Sequence, residues 1–296
     1  IGGSSEIVKT INPVIERSQG KILIKAEVKE IIVKNKKVVG VLMDDGKKIF
    51  SDLIISGVGV FNTYNNLINN ELSLKYGFKS YLKSVNPSVA HGCMYIGLKG
   101  TAKDLNLPRH NLWIYPDKID HDSLVKNYLK DQNADFPLIY ISFPSAKDPT
   151  WNTRYPNTST IDIITLLPYE AFAKWEGSSW KKRDESYEKL KDSICQRLLS
   201  HLFKQLPNLK GSIDHYELSS PLTTKNFVNY QKGELYGLEH TPKRFSQKFL
   251  KPKTSIKGLY LTGQDIVSAG IGGALFSGLI TASSITGINF MKKIYK

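Results

Sequence analysis

The sequence predicts an α/β chain that carries an α+β insert built on an antiparallel sheet. Three observations predict this. Short β-branched runs crowd residues 21–55. Four more apolar runs between 89 and 167 precede one long helical stripe. The chain then closes on a short apolar strand, a polar turn and an uncharged, glycine-led helix. Runs of period two followed by a period near 3.6 are the pattern of a sheet with helices packed beside it.

In order, Ser4-Ser5-Glu6 followed by Ile7, Ile11, Val14 and Ile15 predicts a capped amphipathic helix ending near Gly20, with Pro13 setting its first turn apart. Strands are expected at Ile22–Ile24, Val28–Val33, Val38–Met43, around Ile49 and at Leu53–Ile55. Lys34-Asn35-Lys36 and Asp44-Asp45-Gly46 supply the turns, so the region reads as a β-meander feeding one last buried strand. Gly57-Val-Gly-Val-Phe-Asn62 follows, ahead of a helix through Leu67. It imitates a dinucleotide loop, but the third glycine is missing and no acidic residue closes a following strand at the required distance. It is either a phosphate loop or a core strand turning out of its domain.

From Glu71 to about Pro252 the texture changes. Strands are expected at Val89–Leu98, Leu112–Tyr115, Leu138–Phe143 and Ile161–Leu167, and a helix over Asp184–Leu206 with Tyr187, Leu190, Ile194, Leu198 and Leu202 on one stripe. Pro207 stops it. The closing segment is Gly258-Leu-Tyr-Leu-Thr-Gly-Gln-Asp265 and the uncharged run Ile266–Phe290. Three readings are open for that run. It is a helix whose N-terminal N–H groups face an anionic ligand edge, a buried core helix, or a membrane span.

The chain has 296 residues, 41% of them apolar and 10% aromatic, which excludes a disordered chain and allows one or two domains. The net charge of +14 is mostly lysine spread along the sequence. No nucleic-acid motif accompanies it, so no nucleic-acid partner is expected. One cluster is denser: Lys243, Arg244, Lys248, Lys251, Lys253 and Lys257 interleave with Phe245, Phe249 and Leu250. It suits either a lipid headgroup surface or a basic loop. Cys93 and Cys195 are far apart and read as two buried thiols. There is no nucleophile elbow, no Ser/His/Asp trio and no zinc spacing, and His215-Tyr216-Glu217 lacks the paired cysteines of a deaminase. No metal is expected, and the hard chemistry is left to a bound cofactor.

Ile1-Gly-Gly-Ser-Ser-Glu-Ile7, the meander with Ala26-Glu-Val28, and Leu259-Tyr-Leu-Thr-Gly-Gln-Asp265 together resemble the phytoene desaturase-like flavoprotein family. Phe61-Asn-Thr-Tyr64, Phe143-Pro-Ser-Ala-Lys-Asp-Pro-Thr-Trp151, Ser220-Pro-Leu-Thr223, and Tyr236-Gly237 with His240 are similar to its retinol-saturating branch. The Phe143–Trp151 block is the most specific of these. The resemblance spans the whole chain as the C-terminal part of such a protein, with a Gly-rich βαβ unit expected before Ile1.

The resemblance implies a Rossmann-like FAD-binding domain assembled from separated pieces, with an inserted α+β substrate domain. Residues 1–60 would give the meander and last strand, 61–252 the substrate domain, and 253–296 the closing FAD strand and helix. Val28 would offer its backbone to the adenine edge. Asp265 would hydrogen-bond the ribityl or pyrophosphate region, with Gly263 and Gln264 shaping the turn. Gly272, Gly273 and Ala274 would open the helix against the flavin pyrimidine end, where small residues let the ring approach the backbone. The implied reaction saturates the C13–C14 double bond of all-trans-retinol, with NAD or NADP as candidate electron donor. The alternatives are a carotenoid desaturase or isomerase, and a basic membrane-surface module without turnover. Tyr236 and His240 are the candidates for substrate positioning or proton delivery. The strands Leu138–Phe143 and Ile161–Leu167 would wall a dry tunnel for the polyene. A peripheral membrane location is expected, at the endoplasmic reticulum in a eukaryote, or else a cytoplasmic one.

Overall fold

A computed structural model describes residues 1–117 and 120–294. Helix α1 (Ser5–Arg17) keeps Pro13 inside it and buries none of its side chains. The expected strand at Ile22–Ile24 does not form, and Ile24 is 80% exposed. A strand needs ladder partners for its N–H and C=O groups, and no described strand lies beside this segment. The meander follows as β1 (Val28–Lys34), β2 (Lys37–Met43) and β3 (Lys48–Phe50), antiparallel in that order. Asn35 and Lys36 both take positive φ, which gives the tight β1–β2 turn a twist matching its strands. Then come β4 (Ile54–Ser56), a π-helix (Asn62–Leu67), α2 (Asn70–Lys75) and α3 (Phe78–Leu82).

The middle of the chain contains β5 (His91–Lys99), β6 (Leu112–Ile114), α4 (His121–Lys130), β7 (Ile139–Ser142), α5 (Pro144–Lys147), α6 (Trp151–Arg154), β8 (Thr158–Leu166), α7 (Glu185–Gln205), β9 (Ile213–Ser219) and α8 (Pro221–Val228). The chain ends through α9 (Pro242–Phe245), β10 (Leu259–Leu261), α10 (Gly270–Thr286) and α11 (Phe290–Ile294).

Two compact units result: residues 1–22 with 90–228, and residues 23–89 with 229–296. These limits differ from the expected 1–60, 61–252 and 253–296. Residues 61–89 and 229–252 go with the meander because Val60, Tyr64, Ile68, Phe78, Leu82, Val85 and Leu238 share one core with Ile31, Val38, Leu259 and Leu261.

In the first unit the strands run β6-β7-β8-β5-β9, all antiparallel. Met94, Ile96, Ile139, Ile141, Ile161 and Ile163 share one core with Ile194, Leu198 and Leu202 of α7. Asp184 caps α7 by accepting the Tyr187 N–H at 3.1 Å. The His215-Tyr216-Glu217 segment lies within β9, an edge strand paired only with β5. Its weak apolar alternation reflects that one-sided position. Both cysteines are buried, and burial pushes each thiol up to about 12.

In the second unit β4 and β10 form a parallel pair, with Leu259 opposite Ile54 and Leu261 opposite Ser56. Parallel strands place the loops after their C-terminal ends on one side, which is where open α/β sheets hold ligands.

Candidate functional site

The site is built from the two loops that leave β4 and β10, the segment 229–244, and the start of α10. Thr262 N–H donates to the Ser56 carbonyl at 2.9 Å and carries the parallel pairing one step past the strands. The chain then turns at Gly263, whose φ of +97° suits glycine and whose N–H donates to Ser277 Oγ at 2.7 Å.

Asp265 is the centre of the arrangement. It is 5% exposed, and both carboxylate oxygens accept from backbone of its own chain: Oδ2 from Val60 N–H at 2.9 Å, Oδ1 from Leu238 N–H at 3.0 Å. Two glycines make this possible. A Cβ on Gly59 would press on Oδ2, and one on Gly237 would overlap Oδ1, and both residues have positive φ. The Gly57-Val-Gly59 turn is therefore explained by the close approach of a carboxylate. Burial raises the Asp265 pKa, and the two N–H bonds and the nearby Arg244 charge oppose that rise. A second buried carboxyl, Glu234, faces the same small cavity of about 10 Å³, with Tyr230 and Asn62 also lining it. It accepts the Lys232 N–H at 2.7 Å, and burial raises its pKa as well. That volume holds about one water.

Arg244, grouped by sequence with a solvated basic cluster, is buried instead, at 2% exposure. Its guanidinium donates to the carbonyls of Gln264 (2.9 Å), Asp265 (2.9 Å) and Val267 (3.1 Å). A rigid, planar fork of donors suits carbonyls fixed at separate points around it, whereas a lysine offers a single nitrogen. Desolvation lowers its pKa, and the Asp265 charge opposes this.

His240 has both ring nitrogens engaged with backbone. Nε2 accepts from Ala269 N–H at 2.7 Å, and Nδ1 lies 3.2 Å from the Leu238 carbonyl, to which it donates. The ring therefore braces Ala269, the residue that precedes α10. Gln264 does the same work from the other side. Its Nε2 donates to Tyr230 Oη, and its Oε1 lies 3.4 Å from Gly270 N–H. Tyr236 is 44% exposed, and its backbone N–H donates to Ser88 Oγ at 2.9 Å.

Helix α10 settles two of the three readings of the uncharged run. Its buried residues are Ser277 and Thr281, so it is not a core helix. Ser277 Oγ receives the Gly263 N–H, and Thr281 Oγ1 donates to the Leu261 carbonyl at 3.0 Å, so a polar seam pins the helix to the end of β10. Among the described residues no helix is long and apolar enough to cross a membrane. The N-terminal turn is left open. Ala269 provides no side-chain cap, Gly272 and Ala274 are exposed, and a Cβ on Gly272 would meet nothing within 4 Å. Gly273 differs, because a Cβ there would overlap Ser268. A helix end that lacks a cap from its own N-cap residue, with open space in front of a glycine, suits the close approach of a flat, electron-rich ligand edge.

Val28 opens β1, the outer strand of the meander, so one edge of its backbone has no ladder partner. The two strands expected to wall a tunnel form as β7 and β8 and pair with each other. Ile139, Ile141, Ile161 and Ile163 pack into the core of the first unit, leaving Tyr140, Ser142, Asp162 and Ile164 on the opposite face.

This strand–turn–helix constellation belongs to an α/β scaffold with parallel strands β4 and β10. The fold is shared with an oxidoreductase from Methanosarcina mazei (TM-score 0.53, 15% identity, 96% of this chain and 54% of that one). In sequence the chain is homologous to the all-trans-retinol 13,14-reductases. It is 35% identical to the Homo sapiens protein over 295 residues, covering 96% of this chain and 48% of that protein. Prolycopene isomerase 2 of an Oncidium hybrid cultivar is 26% identical over 298 residues, 99% of this chain and 47% of that protein. The chain thus spans about half the length of the curated relatives it matches. No family model matches it. The resemblance read from the Phe143–Trp151 and Leu259–Asp265 blocks is upheld.

Proposed function

We propose that this chain supplies the meander, the substrate sheet and the closing strand–helix of an FAD-dependent oxidoreductase that saturates the C13–C14 double bond of all-trans-retinol. The single observation that carries this reading is the open start of α10 at Gly272, fixed in place by His240, Gln264 and Arg244. The 35% identity to the human reductase supports the substrate class.

Val28, Gly263, Gln264, Asp265, Gly272, Gly273 and Ala274 form this chain's share of the cofactor site. These residues would hold FAD, which in its reduced form would supply hydride-transfer chemistry to the polyene. Around it, Gly272 and Ala274 admit the ring edge, and the positive end of α10 favours negative charge there. Asp265 acts by tying the β4 and 237–238 loops to the turn, which sets where those N–H groups stand. His240 is a positioning residue for the start of α10. Tyr236, exposed and carrying a phenol, is the candidate for substrate positioning or proton delivery. NAD or NADP is the candidate electron donor, and a lipid-soluble substrate favours a peripheral membrane location.

The similarity to prolycopene isomerases favours one second reading, a carotenoid reaction on the same scaffold. The test is product analysis of the full protein, with its flavin reduced anaerobically and offered all-trans-retinol or lycopene isomers. Formation of 13,14-dihydroretinol with reoxidation of the flavin is expected. Turnover of the carotenoid alone would favour the second reading, and a colourless protein without flavin would reject both.

A further inference from the structure

The second unit holds a larger cleft, away from Asp265, that the redox reading does not use. Its volume is about 690 Å³, within the usual range of small-ligand sites (about 300–1,000 Å³). Two aromatic pairs line it. Tyr64 stacks on Phe78 with centroids 4.0 Å apart, and Tyr81 stacks on Phe249 at 4.9 Å. Lys248, Lys251 and Lys253 stand on the rim, all exposed, and no Asp or Glu lines the cleft. Among the described residues none of these three lysines makes an ion pair, whereas Lys9, Lys37, Lys47, Lys99, Lys189, Lys191 and Lys225 each do.

The hydrogen-bonding groups around them are mostly engaged. Ser246 Oγ and Gln247 Nε2 both donate to the Lys243 carbonyl at 2.8 Å, and Thr254 Oγ1 donates to the carbonyls of Ile256 and Leu259. What the cleft offers a ligand is positive point charge beside an apolar aromatic lining. Tyr81 and Phe249 already stack on each other, so no slot is left between them for a nucleotide base. Lysines bind phosphate as point charges, without the planar geometry that arginine imposes. Lysine mixed with aromatic side chains is the composition that rests at a lipid–water interface.

We propose that this cleft is a headgroup site for an anionic phospholipid, its phosphate between Lys248, Lys251 and Lys253 and its glycerol and first acyl carbons on Tyr81 and Phe249. The inference rests on the membrane-surface part of the proposed function and not on its redox part. Charge complementarity selects the occupant, since the rim is uniformly basic and unpaired.

The experiment is co-sedimentation of the full protein with vesicles of phosphatidylcholine alone or with added phosphatidylserine, at physiological salt. Binding to the anionic vesicles is expected, with partitioning reduced about 100-fold in the Lys248→Gln/Lys251→Gln/Lys253→Gln variant, at about fivefold per lysine near an anionic surface. The control Lys130→Gln/Lys204→Gln/Lys210→Gln removes the same charge from exposed positions of the other unit, and should change partitioning far less. Thermal melting of each variant checks the fold. Equal loss in both triple variants, or none in the first, would overturn the headgroup site and leave membrane binding standing. Failure of the wild type to sediment with either vesicle would overturn both. Displacement from vesicles by millimolar glycerol phosphate, with no preference for anionic lipid, would assign the cleft to free phosphate esters instead.

Discussion

The two units bury different chemistry. The sheet unit fills its core with Met94, Ile96, Ile139, Ile141, Ile161, Leu198 and Leu202, and its buried polar groups are hydroxyls such as Ser159 and Thr165. The second unit contains all three charged side chains that are buried among the described residues: Glu234, Arg244 and Asp265. Burying a charge is costly unless it is hydrogen-bonded and paired. A fold tolerates that cost where position matters more than stability. Under the proposed function, the cofactor turn belongs to the unit that buries charge, and the substrate sheet to the unit packed with apolar side chains.

The sharpest way to break this contrast is to remove its central carboxylate. Asp265→Ala strands the buried N–H groups of Val60 and Leu238 and leaves Arg244 without its neighbouring charge. It is expected to destabilise the protein by about 3–5 kcal/mol, read as a lower urea midpoint, and to abolish flavin retention. Leu198→Ala, in the core of the sheet unit, should cost about 2–5 kcal/mol while flavin bound per folded molecule stays at the wild-type level. Equal flavin loss in both variants would erase the distinction between the two units.

Arg244→Lys retains charge but replaces two spread donor nitrogens with one, so the three carbonyls lose their present geometry. A loss of about 1–3 kcal/mol is expected, together with weaker flavin binding measured by fluorescence titration. The smallest effect is on pH dependence. Burial holds the Asp265 carboxyl above its ordinary value of 3.8. A group whose folded pKa is raised contributes stability that is complete below the unfolded value and is lost as pH rises through the folded one. The urea midpoint of the wild type should therefore carry a component that declines as pH climbs from about 4, and Asp265→Asn should remove that component.

The sequence revealed what periodicity encodes. The stripe Tyr187–Leu202 and the alternation at Ile161–Leu167 reappear as α7 and β8, because each residue there is chosen by one apolar face. The strand at Ile22–Ile24 failed because local β propensity is worth little without a paired neighbour. Edge strand β9 was missed for the opposite reason, since its pairing with β5 is made by backbone and leaves little pattern in its side chains. In the site, Gly263, Gln264, Asp265 and the start of α10 were legible because they are contiguous. Gly59, Glu234, Gly237 and Arg244 were not, because their meaning depends on contacts across 20 to 206 residues of sequence with the turn at 264–265. An arginine inside a lysine-rich stretch was the one available signal, since its planar fork spreads donors over carbonyls that are set apart from one another.

The most direct test of the flavin end of α10 is Gly272→Leu. Nothing lies within 4 Å of the position a Cβ would occupy, so the side chain fits the chain itself but fills the space in front of the helix. The account predicts a melting temperature of the flavin-free protein at or above the wild-type value, since glycine is a poor helix former, and flavin affinity reduced at least 100-fold in equilibrium titration. Flavin bound as tightly as in the wild type, with the helix intact by circular dichroism, would contradict it.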